Sequence, residues 1–276
     1  MVMVVGWKYY NHALIPTTEP HEKCIFPKKT NTRSGKVGGY PLFARWTSDF
    51  DCGYETNWWY VIKDTPFDIS ELKAKRRYEI NKGRRNFTIR RIMATDYPDQ
   101  ILDVTNKAFL SWPEKYRPSI DDDDFRNSLS YWNSAMIYGA FDRENDSLSG
   151  YAYLTEYEGH LEFNMLRVIP ECERLGINAA ICSAILEDNN DRFDGRWYIN
   201  DGARTIRHET AFQDYLEKYF GFRKAFCRLE IMYRNPYGLV IKMLFPFRKI
   251  IGTSSRFGSI ISSVLKMEEI RRESNK

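Results

Sequence analysis

The sequence predicts an α/β protein: a mixed, mostly antiparallel central sheet flanked by helices, preceded by a strand-rich segment and a basic helix. Three observations predict it. Between residues 86 and 235, runs with a period of two alternate with runs of helical spacing in the order β-α-α-β-β-β-α-β-α-β. Short links such as RENDS and DGAR separate these runs with turn-forming residues. The first 65 residues instead carry short aromatic runs, YPLFARW and NWWYVI, between Gly- and Pro-containing loops, and read as short strands.

Taken in order, helix signals begin at Asp68, which with Glu71 makes a capping-box-like start. Ile69, Leu72, Arg76 and Ile80 fall on one stripe, and Gly83 supplies a stop, so a helix of about 14 residues precedes the strand FTIRRI. TDYPDQILDVTNKAF has Tyr97, Ile101, Val104 and Ala108 at helical spacing, with Pro98 suited to a first turn. DDDDFRNSLSYW places acidic residues at a helix N-terminus, where the macrodipole favours them. Three strands follow, AMIYGAFD, LSGYAYLTEY and HLEFNMLRVI, then the helix GINAAICSAILED and the strand RWYIN. The helix ETAFQDYLEKYF and the strand RKAFCRLEIMYRN close the unit. The expected divisions are therefore 1–85, 86–235 and a C-terminal apolar-basic segment at 236–276.

Composition excludes several classes. Apolar residues make up 43% of the 276 and aromatics 15%, enough for a sizeable core with clefts. The five cysteines are scattered, no CxxC occurs and the four histidines show no HxxxH spacing, so neither a disulfide framework nor a metal site is expected. No run of eighteen apolar residues occurs, and the apolar stretch before Gly6 is too short for a signal-peptide core. A reducing cytoplasm is the expected location, with membrane association as an addition.

The element order resembles the GNAT acyltransferase superfamily over about 150 residues, and YLEKYFGFRKAFCRLEIMY resembles that family's closing helix, aromatic-Gly-Phe turn and strand. LKAKRRYEINKG resembles a segment of the Fem-type aminoacyltransferases, in which a basic helix precedes a GNAT-like domain. The resemblance implies acyl transfer from a coenzyme A thioester, with HLEFNMLRV and RWYIN splayed apart so that the donor's amides meet a strand edge. It implies that backbone groups near Leu166 and Val168 polarise the acyl carbonyl. The diphosphate loop would be PECERLGINAA, with Gly176, Ile177 and Asn178 offering N–H groups and Arg174 a charge. Here the chain departs from the family: Glu173 stands where Gln or Arg is usual and Asn178 where Gly or Ala is usual. Fem-type enzymes also lack a good version of this loop, because their donor is an aminoacyl-tRNA.

Within HLEFNMLRVI, alternation sets Leu161, Phe163 and Met165 on one face and Glu162, Asn164 and Leu166 on the other. Glu162 is then the candidate general base and Asn164 a positioning residue, since a partly buried carboxylate has a raised pKa. Asn200 and Asp201 end the next strand, where site residues and simple Asx turns are both common. Tyr215 is the candidate acid for a leaving thiolate, although the family register falls on Glu217 and Tyr215 also fits an apolar stripe. Trp58 and Trp59 are neighbours in a strand, so one faces the core and the other can line a cleft; Trp58 is the candidate substrate contact.

Glu71–Arg91 carries nine Lys or Arg against two Glu in a chain of net charge +4. Arg76 and Arg77, with Lys73, Lys75, Lys82, Arg84 and Arg85, are expected to face a phosphorylated or polyanionic partner such as tRNA. Sequence-specific DNA reading is not expected, since no helix-turn-helix or zinc signature accompanies the charge. In the C-terminal helix, Phe257, Ile260, Ile261, Val264 and Leu265 make a stripe that suits either peripheral membrane contact or packing on its own domain. The functional expectation is acyl transfer to an amine or hydroxyl of a cell-envelope or polysaccharide precursor. A Fem-like aminoacyl-tRNA-dependent transferase and a non-catalytic GNAT-shaped binding protein are the rivals.

Overall fold

A computed structural model describes residues 6–24, 40–206, 211–251 and 256–275. The chain begins with β1 (Trp7–Tyr10), β2 (Ala13–Pro16), β3 (Phe43–Ser48) and β4 (Trp58–Lys63). It continues through α1 (Ala74–Asn86), β5 (Phe87–Ile92), α2 (Pro98–Leu110), α3 (Asp122–Ser128), β6 (Met136–Asp142) and β7 (Leu148–Glu156). Next come β8 (His160–Val168), α4 (Pro170–Glu173), α5 (Ile177–Asp188), β9 (Tyr198–Ala203), α6 (Ala211–Phe220) and β10 (Arg223–Tyr233). The last helices are α7 (Tyr237–Leu244) and α8 (Arg256–Ser274). Every strand expected between residues 86 and 235 is present.

Two compact units emerge. One comprises residues 1–61, 203–211 and 224–276, the other 62–202 and 212–223. These cut the chain elsewhere than the boundaries 85/86 and 235/236 expected from sequence: the basic helix α1 belongs with the second unit, and nearly all of β10 with the first.

In the first unit the strands lie in the order β1-β2-β3-β10-β4. β1 and β2 are antiparallel, β2 and β3 parallel, and β3 and β10 antiparallel. Trp58, Cys227 and Leu229 bury one sheet face against Met267 and Ile270 of α8. The Trp58 indole donates to Thr47 Oγ1 at 3.1 Å, which satisfies its one polar atom inside this core. Of the stripe expected on the last helix, Leu265 is buried and Ile260 exposed, so much of that face packs on its own unit. The Phe257 side chain lies outside the described residues, as do Arg207 and His208. Among the described residues no helix is long and apolar enough to cross a membrane.

In the second unit the order is β9-β8-β7-β6-β5, antiparallel from β5 to β8 and parallel between β8 and β9. Ile101 and Val104 of α2 pack with Leu129, Ile137, Phe141, Leu148 and Tyr151 to form its core. The Asp121 carboxylate accepts the N–H groups of Asp123 and Asp124, capping α3 where the acidic run predicts a helix start.

Two expectations for the basic helix are corrected. Asp68 caps a separate 3-10 turn at Ile69–Glu71, and α1 itself starts only at Ala74. Gly83 does not stop the helix, which continues to Asn86 and runs directly into β5. The physical reason lies in α5. A Cβ on Gly83 would come within 2.3 Å of the Gly176 carbonyl oxygen and 2.8 Å of the Ala180 Cβ. The glycine is there for close helix packing. Around this contact Lys82 Nζ donates to the Arg174 carbonyl at 2.7 Å, and Arg84 reaches Ser183 and Glu187.

Gly83→Ala tests this packing. In an exposed helix interior the substitution would stabilise by up to about 1 kcal/mol. Here steric overlap with backbone should reverse the sign, with a loss of about 2 kcal/mol or more by denaturant unfolding. An unchanged or raised midpoint would contradict the contact.

Candidate functional site

β8 and β9 pair for only three residues: His160 with Tyr198, Leu161 with Ile199 and Glu162 with Asn200. Beyond Glu162, β8 runs six more residues without β9 alongside, so the two strands part as expected. β8 still pairs with β7 along this stretch, but its register slips at Asn164, which is the extra residue between Phe163 opposite Leu154 and Met165 opposite Tyr153. The slip is a β-bulge, and it corrects the simple alternation of faces: side chains after Asn164 change sides relative to those before it.

The bulge also decides where backbone groups point. Ile169 donates its N–H to the Ser149 carbonyl at 2.9 Å, toward β7. Main-chain groups alternate sides along a strand, so those of Arg167 and Met165 also face β7. Those of Leu166 and Val168 turn the other way, into the opening left by β9. The Leu166 carbonyl there accepts from the guanidinium of the adjacent Arg167 at 3.3 Å.

This opening is a pocket of about 350 Å³. Its walls are Phe163 to Val168 of β8, Ser111 and Trp112 after α2, Pro170 and Glu173 of α4, Asn178 of α5, Asp201 of β9 and Phe212 of α6. Asp201 is its most distinctive group. Burial pushes its carboxyl up to about 7, the Glu162 charge adds to the rise, and the Gln213 side chain opposes it. Gln213 is itself buried and donates to the Asp201 carbonyl at 3.2 Å, fixing the end of β9. Arg167 supplies the opposite charge. Its guanidinium lies 5.1 Å from the Phe109 ring and 5.4 Å from the Trp112 ring, and its Nε is buried with no hydrogen-bond partner. The Asn178 Oδ1 is buried and unpartnered as well.

Of the residues expected from sequence, Asn164, Leu166, Val168, Asn178 and Asp201 come together here. Glu162 stands at the last paired position and acts on Asp201 through its charge. Asn164 accepts a hydrogen bond from Thr155 Oγ1 at 2.7 Å. Asn200 is fully buried with its Oδ1 accepting the Gly202 N–H at 2.7 Å, the Asx-turn reading of that position.

The remaining candidates lie elsewhere. Gly176 has φ +86° at the start of α5, and its N–H donates to the Glu173 carbonyl, so neither its conformation nor its donor is reserved for a diphosphate. Ile177 is buried, and Arg174 is exposed and outside the pocket wall. Tyr215 is enclosed in an aromatic stack with Phe212, Tyr219 and Phe220, and burial raises its phenol far above the usual range. Arg76 is buried against the same stack, 3.5 Å from the Tyr219 ring centre, and ion-paired with Glu79. Arg77 donates to the Leu72 and Ser70 carbonyls and closes the turn before α1. Trp58 is a core residue of the first unit. Sequence reading missed Arg167, Trp112 and Gln213. Arg167 left one legible trace, a lone cation in an otherwise apolar strand end.

No family model and no curated protein matches this chain. Solved structures with a similar course of the chain include L-PGS from Bacillus licheniformis, at TM-score 0.46 and 14% identity over 76% of this chain and 67% of that one. The C-terminal domain of a provisionally named lysylphosphatidylglycerol synthetase from Agrobacterium fabrum gives TM-score 0.49 and 12% identity over 86% and 82%. A provisionally named GNAT-family acetyltransferase from Desulfovibrio desulfuricans gives 0.34 and 16% over 53% and 98%. The architecture is the one expected from the order of elements: a mixed, mostly antiparallel sheet flanked by helices.

The raised carboxyl makes a stability prediction. Unfolded, Asp201 ionises near its ordinary 3.8; folded, only near 7. The stability it contributes is complete below the lower value and is lost as pH rises through the upper one. The loss is on the order of 2–4 kcal/mol. Asp201→Asn should therefore be markedly more stable than wild type at about pH 8, with little of that advantage at about pH 4. A pH-independent difference in unfolding free energy would show that Asp201 is not held protonated.

Proposed function

We propose that the second unit is an acyltransferase in which Asp201 takes the proton of the attacking amine or hydroxyl. The observation that carries this reading is a carboxyl with a pKa near neutrality at the fork where β8 and β9 separate. A group poised near neutral pH can accept a proton without being permanently charged. The fork beside it offers two backbone positions, Leu166 and Val168, to an extended acyl donor carrying amides of its own. The same N–H groups are placed to polarise an acyl carbonyl. As the new bond to the acyl carbon forms, the nucleophile's proton passes to Asp201 and the donor's thiol or ribose oxygen departs. Glu162 keeps the Asp201 carboxylate basic by its charge, and Gln213 fixes the strand end that carries it.

Coenzyme A fits this pocket in part. The open edge of β8 suits its amide-bearing arm, and Arg167 offers a cation with an unpartnered N–H. Glu173 on the wall opposes a diphosphate, and the Gly176 N–H is already committed. That second observation favours an alternative donor, an aminoacyl ester of tRNA, which brings no diphosphate to this loop. The acceptor in either reading is a cell-envelope or polysaccharide precursor, taken from the Fem-type resemblance.

Titration calorimetry with coenzyme A separates the donors. If the thioester reading holds, Glu173→Gln should tighten binding about five- to tenfold by removing a repulsive charge, and Arg167→Ala should weaken it by a similar factor. Binding by neither form, with transfer from a charged tRNA, would replace it with the aminoacyl reading. Thiol release from acetyl-coenzyme A to simple primary amines tests the base. Asp201→Asn should lower the rate about 10²- to 10³-fold while coenzyme A still binds. A rate within a few-fold of wild type would remove Asp201 from catalysis.

A further inference from the structure

From Ile231 to Met267 the chain contains no acidic residue, while Arg234, Lys242, Arg248, Lys249, Arg256 and Lys266 are basic. Some of this charge is engaged within the fold: Arg248 and Lys266 both pair with Glu269, at 2.8 and 2.9 Å. Lys242 and Lys249 are exposed. Beside them Tyr237, Leu239, Val240, Met243, Phe247 and Ile250 are exposed too, Leu239 at 61% and Ile250 at 81%. One fourteen-residue stretch thus turns six large apolar side chains outward.

The arrangement follows from how α7 is fastened. Phe245, in the turn after α7, lies between the guanidinium groups of Arg248 at 4.3 Å and Arg272 at 3.7 Å. Ile241 and Leu244 are half-buried on the same side. Leu239 and Met243 are one helical turn apart, Val240 and Met243 nearly so, and Phe247 continues that row, so they share the opposite face. A helix and following turn that are anchored by one side and apolar on the other, with one lysine in each and no carboxylate, have the make-up of an interfacial segment.

We propose that α7 and the turn after it dock the protein onto an anionic lipid surface, with Leu239, Met243, Phe247 and Ile250 entering the acyl boundary. Lys242 and Lys249 reach the headgroups, and Tyr237 sits at headgroup level. Charge decides between this occupant and a second copy of the chain. A two-fold contact through this face would set its lysines against one another, with no carboxylate in the stretch to meet them. Anionic headgroups meet them directly. This inference is independent of the proposed chemistry.

Flotation with vesicles tests it. The full chain should float with a roughly 3:1 mixture of phosphatidylcholine and phosphatidylserine and far less with phosphatidylcholine alone, and raised salt should weaken the binding. Leu239→Glu with Met243→Glu, and separately Lys242→Glu with Lys249→Glu, should each lower the partition coefficient about tenfold or more. Their thermal unfolding should match wild type, since these side chains are exposed. Wild-type protein that stays unbound at low salt, or variants that float as well as wild type, would overturn the proposal. So would a concentration-dependent dimer in sedimentation velocity that Leu239→Glu abolishes, which would assign the face to a second copy.

Discussion

The second unit depends on how closely α1 can approach α5. Two glycines set that distance. Gly83 lies against the Gly176 carbonyl, and Gly176, in its left-handed conformation, leaves no room for a Cβ beside the Glu79 carbonyl at 2.6 Å and the Gly83 nitrogen at 2.9 Å. Neither position could carry a side chain without separating the helices. Because α5 begins at this contact, its first turn is held where Asn178 can reach the pocket wall. The same contact accounts for part of the positive charge of α1. Lys82 holds the Arg174 carbonyl, Arg84 pairs with Glu187, and Arg76 lies against Tyr219. A helix so rich in cations looks largely unpaired in sequence because several of its partners are 92 to 143 residues away, or are carbonyls and aromatic faces rather than carboxylates.

The pocket arises from a second geometric decision. If β8 stayed paired with β9 along its whole length, Leu166 and Val168 would spend their main-chain groups on the ladder. The extra residue at Asn164 bends the strand just after pairing with β9 ends, so those groups stay open. Opening the sheet exposes polar backbone, and Asp201 is desolvated by burial at the same fork. Its carboxyl responds by holding its proton to higher pH. Glu162, one pairing step back, makes ionisation harder still. The binding edge and the raised carboxyl therefore share one fork.

The fold was legible in the sequence because each element carries a strong local signal. FTIRRI alternates, Pro98 starts α2, the acidic run starts α3, and the period changes from two to three or four residues where strands give way to helices. The candidate site was legible in part, and the failures share one cause. Asp201 and Asn178 could be singled out by their place at strand and helix ends, which is a local property. That the Asp201 carboxyl is raised depends on burial and on a neighbour across a strand pair. Gly176 satisfied a cofactor motif, yet its chief contact is a helix 93 residues earlier. Tyr215 and Trp58 were plausible as reactive or binding groups from residue type alone. Their fate was decided by aromatic and hydroxyl partners that only the folded chain supplies, Phe212 and Tyr219 for one and Thr47 for the other.

The two basic stretches of the chain look alike in composition and end differently, and the difference is one of partners. Along α1, Arg76, Arg77, Lys82 and Arg84 meet Glu79, Glu187, carbonyls and aromatic rings, so these charges are offset within the fold. Around α7 the Glu269 carboxylate of α8 is already shared by Arg248 and Lys266. The exposed lysines there stand among exposed apolar side chains instead of carboxylates. Charge that is offset internally stabilises a fold, and charge left beside uncovered apolar surface attracts whatever carries the opposite sign and an apolar interior. By this criterion the conspicuous cluster of the sequence is largely architectural, and the sparser one is the better candidate for meeting something outside the protein.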